Sequence, residues 1–143
     1  LKIEIKYKKC IKADLEYLIW LRNETMNIHL SNAGILIDQE NHLNRIMYEF
    51  ENANLIYLND NKIGLLKVVE NEKNIEIIQI QIDPKYQGKG IGEKVLKKII
   101  KNNSQHKKKI SLSVLKMNNA INLYEKVGFK IKSENQYSYI MEL

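Results

Sequence analysis

The chain has 143 residues, 44% hydrophobic and 28% charged, with a formal net charge of +6 and one cysteine. That length suits one domain, residues 1–143, large enough to bury a core without staples. An internal disulfide is excluded, and no run reaches the ~18 apolar residues that a membrane span needs.

The elements follow in order. Residues 2–7 alternate through Ile3, Ile5 and Tyr7 and predict a strand. They lack the apolar core of a signal peptide, and with a lone cysteine the expected location is cytoplasmic. Asp14 is the expected cap of a helix carrying Leu15, Leu18, Ile19 and Leu21. "NETMNIHLSNAG" breaks that pattern and predicts a loop or a bent helix. Asp38 caps a second helix with Leu43, Ile46, Met47 and Phe50 on one face. "NLIYL" and "KIGLLKVVE" are strands around the turn "NDNK". "NIEIIQIQID" is a longer strand, residues 90–101 a helix, and "KISLSVL" a strand. Residues 118–127 form a helix stopped by Gly128. "FKIKS" and "YSYIMEL" close the chain as strands. The order β-αα-βββ-α-β-α-ββ predicts a mixed α/β layer fold.

The positive charge, with a sequence pI near 9.2, favours an anionic partner and argues against a polycationic substrate. A lysine-rich surface in an Ile-, Lys- and Asn-rich chain explains it equally well. Nucleic-acid binding is disfavoured, because the lysines scatter over several elements and form no stripe with stacking aromatics.

One stretch concentrates chemistry. In "QIDPKYQGKGIGEKVLKKII" Pro84 ends a strand, because it has no N–H to donate. Gly88, Gly90 and Gly92 then let backbone approach a ligand at the start of a helix. Unpaired N–H groups and the helix dipole make that corner an anion site, with Lys89 at its mouth. It is not a P-loop, since the fifth residue after Gly88 is Glu93. It is not a dinucleotide fingerprint, since the third glycine comes one residue early. A plain glycine-rich turn stays open on these residues alone.

Gln87-Gly88-Lys89-Gly90-Ile91-Gly92 matches Q-x-x-G-x-G and resembles the acetyl-CoA loop of the GNAT superfamily of N-acetyltransferases. "NNAINLYEKVGFK" is similar to a second segment of that family. The likeness is strong from residue 56 to 132 and weak before. It implies a mostly antiparallel twisted sheet of about seven strands, a splayed parallel pair and about four helices. It also implies transfer of an acetyl group from acetyl-CoA, a cosubstrate, to a primary amine in a ternary complex, with no metal. By resemblance, residues 75–82 splay from residues 110–114 to admit pantetheine. The backbone of Ile80, Gln81 and Ile82 pairs with its amides, and the N–H groups of Gln87, Gly88, Lys89, Gly90, Ile91 and Gly92 hold the pyrophosphate. The asparagine of the family's pattern falls on Met117 here; Asn118 and Asn119 follow it, and either caps the last helix alone or caps it and touches the cofactor.

Two tasks remain for side chains. A lysine-like amine of pKa ~10.4 is neutral in only about one molecule in 10³ near pH 7, so a base is needed. The leaving thiolate needs a proton. Tyr124 holds the family's general-acid position, and a packed aromatic is the alternative. Glu76 lies eleven residues before Gln87, a spacing similar to the catalytic glutamate of histone-acetylating members. By strand parity it shares a face with Ile78, Ile80 and Ile82 until a bulge intervenes; a water chain is the alternative base. His29, His42 and His106 lack metal-ligand spacing and read as surface histidines, the first two in the region that walls the amine pocket by resemblance. "WLRNE" and "IDQENHL" resemble members acting on nucleotide-linked amino sugars or protein N-termini. The acceptor is not fixed by sequence, and a homodimer is allowed. The alternative function is a module that binds acyl-CoA or nucleic acid without chemistry.

Overall fold

The computed structural model describes residues 4–143. Of the strand expected at residues 2–7, residues 2 and 3 lie outside the described residues, and β1 is Ile5–Lys9. The other strands are β2 Ala53–Leu58, β3 Asn61–Glu70, β4 Asn74–Ile82, β5 Lys109–Leu115, β6 Lys130–Glu134 and β7 Ser138–Glu142. They form one sheet in the order β1-β2-β3-β4-β5-β7-β6. Among the described residues its only parallel pair is β4 with β5; the rest run antiparallel. The expected mixed α/β layering with a parallel pair is therefore what the chain adopts.

Helices cover both faces. On one side α1, Leu15–Asn32, and α2, Gln39–Met47, bury Leu18, Leu21 and Ile46 against Leu55 and Leu65 of the sheet. On the other, α3, Ile91–Asn102, and α4, Ala120–Lys126, bury Ile91, Val95, Leu96 and Tyr124 against Ile77, Ile110 and Leu112. The lysines of α3 (Lys94, Lys97, Lys98 and Lys101) point to solvent. No helix among the described residues is long and apolar enough to cross a membrane.

Three local expectations need correcting. "NETMNIHLSNAG" is no loop; α1 runs through it to Asn32. Its polar residues bond along the helix: Asn23 Nδ2 donates to the Ile19 carbonyl at 2.9 Å and Thr25 Oγ1 to the Leu21 carbonyl at 2.8 Å. Residues that usually compete with helical bonding here accept a back-bonded place in it. Asp14 does not cap α1; its carboxylate accepts from the Ile11 N–H at 2.8 Å, across the preceding 3-10 turn. In α2 the buried face is His42 and Ile46, while Leu43 and Met47 stay exposed. Asp38 does cap α2, accepting from the Asn41 N–H at 2.7 Å.

A buried lysine fixes the end of α2. Lys67 of β3 is fully buried, and its ammonium donates to the carbonyls of Arg45, Ile46 and Tyr48 at 3.2, 2.9 and 2.6 Å. These are carbonyls that the helix end leaves unpaired. Burial first, then Arg45 and Arg22, lower the Lys67 pKa to about 8.

Lys67→Met should destabilise the fold by about 2–4 kcal/mol, because the buried carbonyls lose their donor, as read by urea unfolding. Between pH 8 and the ordinary lysine pKa the unfolded chain holds a proton that the native chain has released. The contribution of Lys67 to stability therefore rises with pH across that window. The gap between wild type and Lys67→Met should widen from pH 8 to 10; a gap that narrows contradicts the lowered pKa.

Candidate functional site

The parallel ladder of β4 and β5 is short. It begins with Asn74 opposite Lys109 and ends with Ile77 opposite Leu112. Beyond it β4 stays with β3 as far as Ile82, and β5 stays with β7 as far as Leu115. The two strands part, and each turns an unpaired backbone edge to the gap. A bulge sits at the parting: Lys67 faces Gln79 and Val68 faces Ile77, so Ile78 has no partner across the pair. An extra residue bends its strand and increases the twist. It also swaps faces. Ile75 and Ile77 belong to the core under α3, and so do Ile80 and Ile82, while Gln79 and Gln81 are buried toward α1 and α2.

Two cavities meet in the gap. One, of about 670 Å³, runs from Thr25, Met26 and His29 of α1 past residues 80–82 to Gln87, Gly88 and Gly92, with Asn118, Asn119 and Leu123 on its far side. The other, of about 240 Å³, lies between Arg22 and Leu30 of α1, Arg45 of α2, Gln79 of β4 and Ser113 of β5. Met26, Ile80, Gln81, Asn118 and Tyr124 line both and mark the junction.

The loop after β4 closes the larger cavity. Asp83 Oδ1 accepts from the Lys85 N–H at 2.9 Å and starts the 3-10 turn Pro84–Tyr86. Gln87 Nε2 donates to the Ile82 carbonyl at 2.8 Å and ties the loop to the strand end. Gly88 and Gly90 have φ of 75° and 79°, a region open to glycine and costly to other residues. The Gln87 N–H reaches the Pro84 carbonyl at 3.3 Å, and the first bond closing α3 is Lys94 N–H to the Gly90 carbonyl. The amides of residues 88–93 in between find no backbone acceptor among the described residues. The positive end of the α3 dipole lies in the same place.

Most of the residues expected around the cofactor thus come together. Gly90 and Ile91 line an adjoining depression of about 390 Å³, which shares Gln87, Gly88 and Gly92 with the larger cavity. The Ile91 side chain is core, so only its backbone is available. Lys89 lines neither cavity; its ammonium lies 5.6 Å from the centre of the Tyr86 ring. Asn118 Oδ1 accepts from the Ala120 N–H at 2.8 Å, capping the first turn of α4, and still faces the junction.

Tyr124 sits at the junction with 8% of its surface exposed, edge-on to Phe129 at 6.1 Å between ring centres. Burial pushes its phenol up to about 12, so it keeps its proton at neutral pH. Glu76 is not brought to the junction. It is exposed in the paired part of β4, with Val69 on one side and Ser111 on the other. The bulge at Ile78 cuts it off from the face of Ile80 and Ile82 and leaves it on the α1–α2 side, outside both cavity linings.

His42 is no surface histidine. It is buried, its Nδ1 accepts from Arg22 Nε at 2.9 Å, and its Nε2 lies 2.7 Å from Asn27 Oδ1. An arginine can only donate, so Nε2 carries the hydrogen. Burial, then Arg22, hold the imidazole below its usual pKa. His29 lines the larger cavity, with Nδ1 buried and without a partner, and burial lowers its pKa too. His106 is exposed. Arg22, Arg45 and Gln79 escaped the sequence reading. Arg22 stood inside "WLRNE", but its bond to His42 spans 20 residues and leaves no local signature. Among the described residues no group of His, Cys, Asp or Glu is placed to hold a metal ion.

Comparison with known proteins agrees with this geometry. The acetyltransferase (GNAT) domain family matches residues 32–140. A spermine/spermidine N(1)-acetyltransferase of Bacillus subtilis (strain 168) is 38% identical over 74 residues, 48% of this chain and 49% of that protein. The match thus spans about half the length of that curated relative. The PaiA N-acetyltransferase of Thermoplasma acidophilum, in complex with coenzyme A, superimposes with a TM-score of 0.72 at 19% identity, covering 97% of this chain and 98% of that one. Naa50 of Arabidopsis thaliana, in complex with the bisubstrate analogue CoA-Ac-MVNAL, gives a TM-score of 0.67 at 21% identity, with 97% of each chain covered. With a family match over more than half its length, the chain belongs to the GNAT family of acetyltransferases.

Proposed function

We propose that the protein transfers an acetyl group from acetyl-CoA to a primary amine by direct attack in a ternary complex. The observation that carries this reading is the pair of cavities joined at Tyr124 between the parted strands. One arm fits a long cosubstrate and the other a small acceptor, and the protonated phenol of Tyr124 stands where they meet, beside Met26, Gln81 and Asn118. Two relatives in fold were solved with coenzyme A or a CoA-linked analogue, which supports the same assignment.

The residues present fit acetyl-CoA. The free edge of β4 at Ile80, Gln81 and Ile82 offers backbone donors and acceptors to the amides of pantetheine. The unpaired amides of the loop, Gly88 to Gly92 on this reading, suit a diphosphate, because anions are held where helix N–H groups and dipole converge. Asn118 and Asn119 flank the chain between these two regions, Asn118 with its Oδ1 already used as a cap.

Bound acetyl-CoA supplies a thioester carbonyl as the electrophile. The acceptor nitrogen bonds to that carbon as the carbon–sulfur bond breaks. Tyr124 gives its hydroxyl proton to the departing sulfur and regains one from solvent. The proton lost by the amine leaves through water, and Glu76 is proposed as the group that finally takes it. Lying outside both cavity linings, Glu76 acts only through bridging water.

Isothermal titration should show acetyl-CoA binding, and Gly90→Val should weaken it at least about tenfold, since a β-branched residue resists the left-handed backbone there. Tyr124→Phe should leave that affinity within about twofold and lower kcat about 10²-fold, the usual scale of a general acid. Equal kcat for Phe and Tyr at this position removes the acid role.

A further inference from the structure

The smaller cavity carries an excess of positive charge that forms no ion pair among the described residues. Arg22 is buried, and only its Nε is engaged, by the neutral His42. Arg45 stands beside it on the same cavity wall, stacked on Tyr48 at 5.3 Å. Among the described residues neither guanidinium has a carboxylate within ion-pairing distance. Lys67 adds a third cation behind them, occupied by its three carbonyls. The nearby acids are otherwise used: Asp38 caps α2 and Glu49 accepts from Asn52 at 2.8 Å.

Gln79 completes the wall. Its amide oxygen and nitrogen are both buried and both lack a partner among the described residues, although it lines the cavity. Buried polar groups are nearly always satisfied, and a buried cation without a counter-charge is costly. Arg22 reflects that cost: burial, with Arg45 adding to it, lowers its pKa to about 10. Such an arrangement persists where a ligand supplies what the protein lacks. An arginine fork matches two oxygens of a carboxylate or phosphate in two parallel hydrogen bonds.

We propose that the acceptor is a small amine bearing a carboxylate or phosphate, whose oxyanion docks on Arg22, Arg45 and the Gln79 amide while its amine points to Tyr124. This rests on the acetyl-transfer reading and names the substrate class of that same site. His42 is a positioning residue: it holds the Arg22 fork by Nε and leaves the other N–H groups to the ligand. The volume of about 240 Å³ suits a small acceptor. A polyamine, the acceptor named for the Bacillus subtilis relative, would place cations against cations here.

The test uses the full chain with acetyl-CoA and reads release of the free thiol. Three groups of acceptors are compared: amines with a carboxylate (glutamate, β-alanine), amines with a phosphate (phosphoethanolamine, glucosamine 6-phosphate), and amines with neither (butylamine, spermidine). One acidic group should exceed butylamine and spermidine at least tenfold in kcat/KM, and which one shows whether the oxyanion is carboxylate or phosphate. Arg45→Met, an exposed and foldable change, should raise KM for that acceptor at least fivefold without altering acetyl-CoA affinity, and Arg22→Lys should retain more activity than Arg22→Met. In parallel, glutarate and inorganic phosphate are titrated into the CoA complex; one should bind, and Arg45→Met should weaken it. Spermidine or butylamine as the best acceptor overturns the proposal. So does a CoA complex that takes neither anion and acetylates none of the acidic amines. Failure to bind CoA at all overturns the acetyl-transfer reading itself.

Discussion

The structure depends on the parting of β4 from β5. A parallel ladder that stops after Ile77 and Leu112 leaves two strand edges without partners in the middle of a sheet. Backbone polar groups at that depth demand hydrogen bonds, and the protein offers none across the gap. The gap is therefore a slot whose donors and acceptors are fixed by two strands, each anchored on its outer side. The side chains of Ile80 and Ile82 meanwhile pack against the core under α3.

The bulge at Ile78 links this slot to the smaller cavity. It sets Gln79 opposite Lys67 and turns Gln79 and Gln81 toward α1 and α2. Lys67 then ties down the end of α2, which carries Arg45, while His42 of α2 reaches α1 and holds Arg22. A change of register by one residue thus arranges one wall of the smaller cavity. Tyr124 arrives from the other face of the sheet on α4, a short helix capped by Asn118. It meets that wall only because the strands between them have separated.

How much of this was legible in the sequence follows from which interactions are local. The turn Gln87–Gly92 could be read because its shape rests on backbone freedom, which is written in glycine: Gly88 and Gly90 have positive φ. The close of α4 at Gly128, the cap at Asp38 and the hairpin at Asn59–Asp60 are local in the same sense. The continuity of α1 was hidden because Asn23, Thr25 and Asn27 satisfy themselves along the helix instead of ending it. Lys67 was hidden because alternation in "KIGLLKVVE" assigns a face but not a burial. The pairing of Arg22 with His42 joins residues 20 positions apart, and Gln79 acquires its importance only from the bulge beside it. Glu76 shows the converse: a spacing that matched a catalytic pattern lands on an exposed stretch of paired strand.

The central claim is that backbone amides of the parted strand and the following loop grip coenzyme A. Amide hydrogen exchange, followed by mass spectrometry with and without coenzyme A, tests it most directly. The account predicts that protection on binding concentrates in residues 78–93 and spares the β1–β2 ladder. Uniform protection, or protection that leaves residues 78–93 unchanged, would contradict it.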